Sequence, residues 1–266
     1  VMRLAGECAT KEQLAGIEKR LNAEHTEILD LVNQNAKSTE DIRLVFEDKI
    51  QEIRKAQEEA KRAEEERRRM EEAKRLAEQK EKEKIALSFS GKDLEIMTRG
   101  IMALKQWTGK ANANIVYDSR VNPFTDQGLF EKVKGKANIA LIAFTRDGDV
   151  FGGFYNVAAI EQDEPCYDPD IFAFSFESGG RCETPQRFMV KDGLKDMVYV
   201  VLYNDNFRGF VGFRVYEVGG FYMGNEKSDS FCYNLFQAFD GLEDTTPTGK
   251  GSLYHHCTRL VAVQLG

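Results

Sequence analysis

The chain has 266 residues, enough for one sizeable domain and an extension. With 30% charged and 42% hydrophobic residues it suits a globular protein, and a net charge of −7 disfavours sequence-independent nucleic-acid binding, which needs a basic footprint. The densest basic run, Arg67-Arg68-Arg69, is flanked by Glu64, Glu65, Glu66, Glu71 and Glu72, and reads as a solvated helix face. No apolar run is long enough to span a bilayer, so no membrane insertion is expected, and residues 1–6 lack the layout of a secretory signal. The five cysteines, Cys8, Cys166, Cys182, Cys232 and Cys257, show no CxxC spacing. Free thiols in a reducing compartment, cytoplasmic or nuclear, are the simplest reading.

The chain changes character at about Lys84. Before it, Thr10 and Gln13 match a helix capping box. Leu14, Leu21, Ile28, Asn35 and Ile42 then recur at every seventh position, with Ile17, Leu31 and Val45 between them. Strict seven-residue spacing keeps an apolar seam facing a partner helix, so a left-handed coiled coil is expected over residues 10–53. Glu24 and Ser38 interrupt the intermediate row, and Asn35 places an amide in the seam, where it can fix register and strand number. A parallel homo-oligomer, a dimer first of all, follows as an expectation. The alternative is an amphipathic helix folded back on its own domain. Lys37-Ser38-Thr39-Glu40-Asp41 also offers a break that would make a helical hairpin, since Ser and Thr favour caps over helix interiors.

Residues 54–87 are almost entirely Glu, Lys, Arg, Ala and Gln, strong helix formers whose opposite charges three and four apart support one another. They read as a helical spacer, on the order of 45 Å long if unbroken. Ser88-Phe89-Ser90-Gly91 ends the charge run. Leu94, Met97, Ile101, Leu104 and Trp107 follow at helical spacing, one apolar face with Trp107 expected to enter the core. From Asn114 the signals are those of strands. Ile115-Val116-Tyr117 is a short apolar run and Leu129 to Val133 suggests a short helix. Residues 139–144 and 150–155 are apolar runs joined through Asp147-Gly148, a hairpin signal, because both turn residues tolerate positive φ. Further strands are expected at residues 171–176, 197–203, 209–218 and 260–265. The expected class is α+β: a long N-terminal coiled-coil helix, then an antiparallel β-sandwich with flanking helices over residues 88–266.

These residues, taken as a set, resemble the TLDc (TBC/LysM-associated) domain over roughly residues 96–266. Trp107 precedes Ile115-Val116-Tyr117-Asp118-Ser119, similar to the family's opening strand. Phe151-Gly152-Gly153-Phe154 looks like its central hairpin signature, and Phe172-Ala173-Phe174-Ser175-Phe176 like its Phe-Leu-Phe-Ser-Leu strand. The segment around Cys232 resembles its late Ser/Cys/Asn element, and residues 259–265 its closing strand. The resemblance implies a β-sandwich flanked by helices, a link to oxidative-stress resistance and, in several members, binding to the vacuolar proton ATPase. It implies no established active site. Arg120-Val121-Asn122-Pro123 stands where the family has His-Gly.

Catalytic patterns are sparse. His255-His256-Cys257 is the most tempting cluster, with His255 and Cys257 on one face if the segment is a strand. Two ligands fall short of a zinc set, and a Cys–His pair needs a third group to orient the base. Cys232 reads as a buried thiol, with redox sensitivity as the alternative. Glu161, Asp163, Glu164, Asp168 and Asp170 lack calcium-loop spacing and read as an exposed acidic loop. No Walker loop or GxSxG elbow is present. The expectation is a non-enzymatic adaptor with no cofactor and no metal. The alternative is a thiol- or metal-dependent enzyme using Cys232, or His255 with Cys257.

Overall fold

The computed structural model describes residues 11–178, 184–204, 209–225, 230–242 and 254–266. The chain divides into two compact units, Val1–Ala73 and Lys74–Gly266. The capping residue Thr10 lies outside the described residues.

The first unit carries most of helix α1 (Lys11–Ser88), 78 residues without interruption. The break considered at residues 37–41 does not occur, for two local reasons. Thr39 Oγ1 donates to the Asn35 carbonyl at 2.8 Å, so the hydroxyl is satisfied within the helix. Arg43 bridges Glu40 at 2.6 Å and Glu47 at 2.7 Å, one turn to either side. Further on, Glu64 pairs with both Arg67 and Arg68, as the charge pattern of the spacer predicts.

The boundary between the units falls inside the segment read as spacer, 54–87. The last turns of α1 belong to the second unit. There Ile85 is buried, and Glu81 accepts hydrogen bonds from Lys105 Nζ and from the Ala113 backbone N–H. Helix α2 (Gly91–Thr108) follows a two-residue connection and ends at Gly109, whose φ of 69° is the left-handed conformation that closes a helix. Its buried face is Ile96, Met97, Gly100, Ile101 and Leu104. Trp107 does not enter the core as expected. It is half-buried, its ring edge-on to Phe172 at 6.0 Å.

Among the described residues of this unit, twelve strands and two more short α-helices follow: β1 (Ala113–Asp118), α3 (Asp126–Val133), β2 (Ile139–Thr145), β3 (Asp149–Tyr155), β4 (Cys166–Tyr167), β5 (Phe172–Ser178), β6 (Gln186–Met189), β7 (Val198–Leu202), β8 (Val211–Val215), β9 (Gly219–Met223), β10 (Ser230–Tyr233), α4 (Leu235–Ala238), β11 (Tyr254–His255) and β12 (Cys257–Leu265). They form two six-stranded antiparallel sheets, ordered β1-β12-β2-β3-β5-β6 and β11-β10-β9-β8-β7-β4. The fold is α+β: a long N-terminal helix, then two antiparallel sheets.

The inner faces of the sheets meet in one core. Leu141 and Phe151 of the first sheet pack with Phe213 and Phe221 of the second. The outer face of the first sheet is covered by α2, in a second cluster of Met97, Ile101 and Leu104 against Ile142, Phe174, Phe176 and Val261. Burial on both faces explains why β2, β3 and β5 are apolar almost throughout rather than alternating. The β2–β3 hairpin turns at Asp147-Gly148 with Gly148 at φ 84°, as the Asp-Gly signal requires. The strand expected over 209–218 is shorter. Glu217 sits in a turn at φ 57°, and the chain reverses there into β9.

Candidate functional site

Three places gather the residues singled out by sequence. On α1, the seam residues Leu14, Ile17, Leu21, Ile28, Leu31, Ile42 and Val45 are all exposed, Ile28 to 58%. Asn35 is exposed among them. So many large apolar side chains facing water on one helix make an extended exposed apolar surface.

The second place is the start of α2, where Arg259 is buried to 1% exposure. Its Nε donates to Asp118 Oδ1 at 3.0 Å and its Nη2 to Asp118 Oδ2, a two-point pairing with the carboxylate at the end of β1. Nη2 also donates to the Ser88 carbonyl at 2.9 Å, satisfying an orphan acceptor at the end of α1. The guanidinium lies over the Phe89 ring at 4.0 Å, and Asp93 approaches Nη1 at 3.7 Å. One side chain of β12 thus ties the connection between α1 and α2 to β1. Ser119 adds to the same corner by accepting from Leu260 N–H at 3.0 Å. In the sequence, Asp118 and Ser119 stand out only through the resemblance, and Arg259 only as the first residue of the closing strand. The signal for it was a lone cation ahead of an apolar run.

The third place is the inner core. Cys232 Sγ lies 3.2 Å from His255 Nε2, and the imidazole packs tilted against the Phe151 ring with 4.9 Å between centroids. His255, raised in the sequence only as the alternative partner of Cys257, meets Cys232 here. Cys257 points its sulfur to the Arg259 carbonyl at 3.3 Å. Burial pushes the Cys232 thiol well above its ordinary value of 9.0, so the sulfur is held neutral. A neutral thiol is a poor nucleophile and a poor metal ligand. Among the described residues no three His, Cys, Asp or Glu side chains gather as a metal site. The described cysteines, Cys166, Cys232 and Cys257, are free thiols.

The remaining signature residues are packing groups. Phe154 stacks on Phe172 at 4.9 Å, and Phe174 on Phe176 at 4.6 Å. Ser175 is buried on the same strand. Gly152 leaves room for the Leu141 carbonyl and the Phe174 ring, and Gly153 for the Phe213 ring of the opposite sheet. The acidic loop is not wholly exposed: Asp168 is buried and caps the Val157 and Asp170 N–H groups at 3.3 and 3.0 Å. On the outer face of the second sheet, Tyr199, Tyr203 and Tyr222 form a further aromatic cluster, with Arg214 5.6 Å from the Tyr199 ring and 5.9 Å from that of Tyr222. No described helix is long and apolar enough to cross a membrane. No protein-family model and no curated protein matches the chain.

Proposed function

We propose that this is a non-enzymatic, self-associating adaptor. Helix α1 gathers copies of the chain, and the sheet domain docks on a protein partner. The observation that carries this reading is the row of large apolar side chains left exposed along α1. The TLDc resemblance supplies the candidate role, protection against oxidative stress or regulation of the vacuolar proton ATPase, in the cytoplasm. Joining two weak docking domains through α1 raises apparent affinity by roughly 10²–10⁴ without any new contact.

The test is binding of the purified full chain to immobilised vacuolar proton ATPase, beside a double variant, Ile28→Glu with Ile50→Glu, that should disrupt the α1 surface. Binding by both, weaker for the variant by about 10²-fold or more, is the expected result. Equal binding removes the avidity role, and no binding by either removes this partner.

A thiol-enzyme reading has one observation in its favour, the Cys232–His255 contact. Against it stands the burial that keeps the thiol neutral. Mapping iodoacetamide labelling on the native protein separates the two: Cys232 should resist labelling until the protein unfolds, and rapid native labelling would favour the enzyme.

A further inference from the structure

The exposed apolar surface of α1 is broader than its heptads. Val32, Phe46, Ile50 and Ile53 are also exposed, Phe46 to 64%. With about 100° per residue on an undistorted helix, ten positions fall within one strip about 60° wide. They are Leu14, Ile17, Leu21, Ile28, Val32, Asn35, Thr39, Phe46, Ile50 and Ile53. Leu31 and Val45, which the heptad count places in the seam, lie about 70° and 110° from the centre of that strip.

The strip repeats at a different interval from the heptad. Leu14, Val32 and Ile50 are 18 residues apart, as are Ile17, Asn35 and Ile53, and Ile28 and Phe46. Eighteen residues make five turns of undistorted helix, about 3.6 per turn. A seven-residue repeat lags that helix by about 20° per heptad and forces a left-handed supercoil. An 18-residue repeat has no such lag, so the seam runs parallel to the axis of a straight helix.

We propose that α1 pairs with α1 of a second copy of this chain, parallel and in register, along a straight seam from Leu14 to Ile53 without left-handed supercoiling. This rests on the self-association reading above and adds its geometry. The seam is about 58 Å long and about 10 Å wide. That is on the order of 600 Å² per copy and 1,200 Å² in all, at the threshold of specific interfaces.

Orientation follows from Asn35. The spacing of the strip reads the same from either end, so apolar contact alone accommodates both directions. In the parallel pair Asn35 meets the second copy's Asn35, amide to amide, and Thr39 meets Thr39. In the antiparallel pair Asn35 faces the second copy's Val32, which leaves a polar group in the seam without a partner.

Four variants of the full chain test this, with circular dichroism to confirm that α1 stays helical. The wild type should sediment as a dimer at 10 μM. Ile50→Glu should weaken association at least tenfold, and Val45→Glu should leave it unchanged. Asn35→Cys, treated with diamide, should give a covalent dimer that the wild type does not, because a disulfide needs the two Cα atoms within about 7 Å. Dissociation by Val45→Glu but not by Ile50→Glu would establish the supercoiled heptad seam and overturn the straight one, while self-association stood. Failure of N35C to cross-link where V32C/N35C does would overturn the parallel orientation. A monomeric wild type would remove both the seam and the self-association reading.

Discussion

Arg259 shows how much of the second unit hangs on one side chain. It satisfies Asp118 twice, takes the last carbonyl of α1 and stacks on Phe89. Its removal leaves the Asp118 carboxylate buried without its counter-ion, and breaking such a pair costs about 3–5 kcal/mol. Arg259→Ala should therefore destabilise the sheet domain by about that amount. Trp107 is the only tryptophan in the chain, so its fluorescence during urea unfolding follows this unit alone. A loss below about 1 kcal/mol would show that the pairing is not structural. The buried acids set the pH response. Burial raises the Cys232 thiol, and it raises the Tyr117 and Tyr155 hydroxyls. Each stays protonated in the folded chain while its unfolded counterpart ionises, the thiol near 9.0 and the phenols near 10.0. The unfolded state then binds fewer protons, so stability is full below pH 9 and falls as pH rises beyond it. Trp107-detected urea midpoints should be flat from pH 7 to 8.5 and drop by pH 10.5. A midpoint that rose over that span would contradict this assignment.

At the scale of elements, the two central glycines of β3 are required by what lies opposite them. A Cβ on Gly153 would come within 2.7 Å of the Phe213 ring, across the interface between the sheets. Gly153→Ala should cost about 1–3 kcal/mol by overpacking. The corresponding change at Gly91 meets no atom within 4 Å and suffers only its φ of 55°. Equal urea midpoints for wild type and Gly153→Ala would mean that the sheets separate freely there. The hairpin of β2 and β3 was legible in the sequence because its turn is chemically specific at Asp147-Gly148 and its strands are apolar on both faces. Helix α2 was legible from its periodicity. The strands β4, β6 and β11 were not, because two to four residues carry no period. The reversal at Glu217 was hidden because a non-glycine residue adopts positive φ there. The Cys232–His255 contact joins positions 23 apart in sequence and needed the β10–β11 pairing to be seen. The apolar surface of α1 was legible, but seven-residue counting picked Leu31 and Val45 and passed over Phe46 and Ile50. The ion pairs of Arg43 show why the Ser38-Thr39 step does not break the helix.

For the whole molecule, valency is the central claim. In the proposed adaptor the exposed apolar strip of α1 joins two copies, and the sheet domain, with its titratable side chains committed to packing at Arg259, Asp118 and Cys232, docks on the partner. An adaptor of this kind works only if its copies meet. The most direct measurement is sedimentation equilibrium of the untagged full chain from 1 to 50 μM under reducing conditions. One chain weighs 30.2 kDa. The expected result is a mass of two chains that declines toward one on dilution. A mass of one chain throughout that range would contradict the self-association on which the proposed function depends.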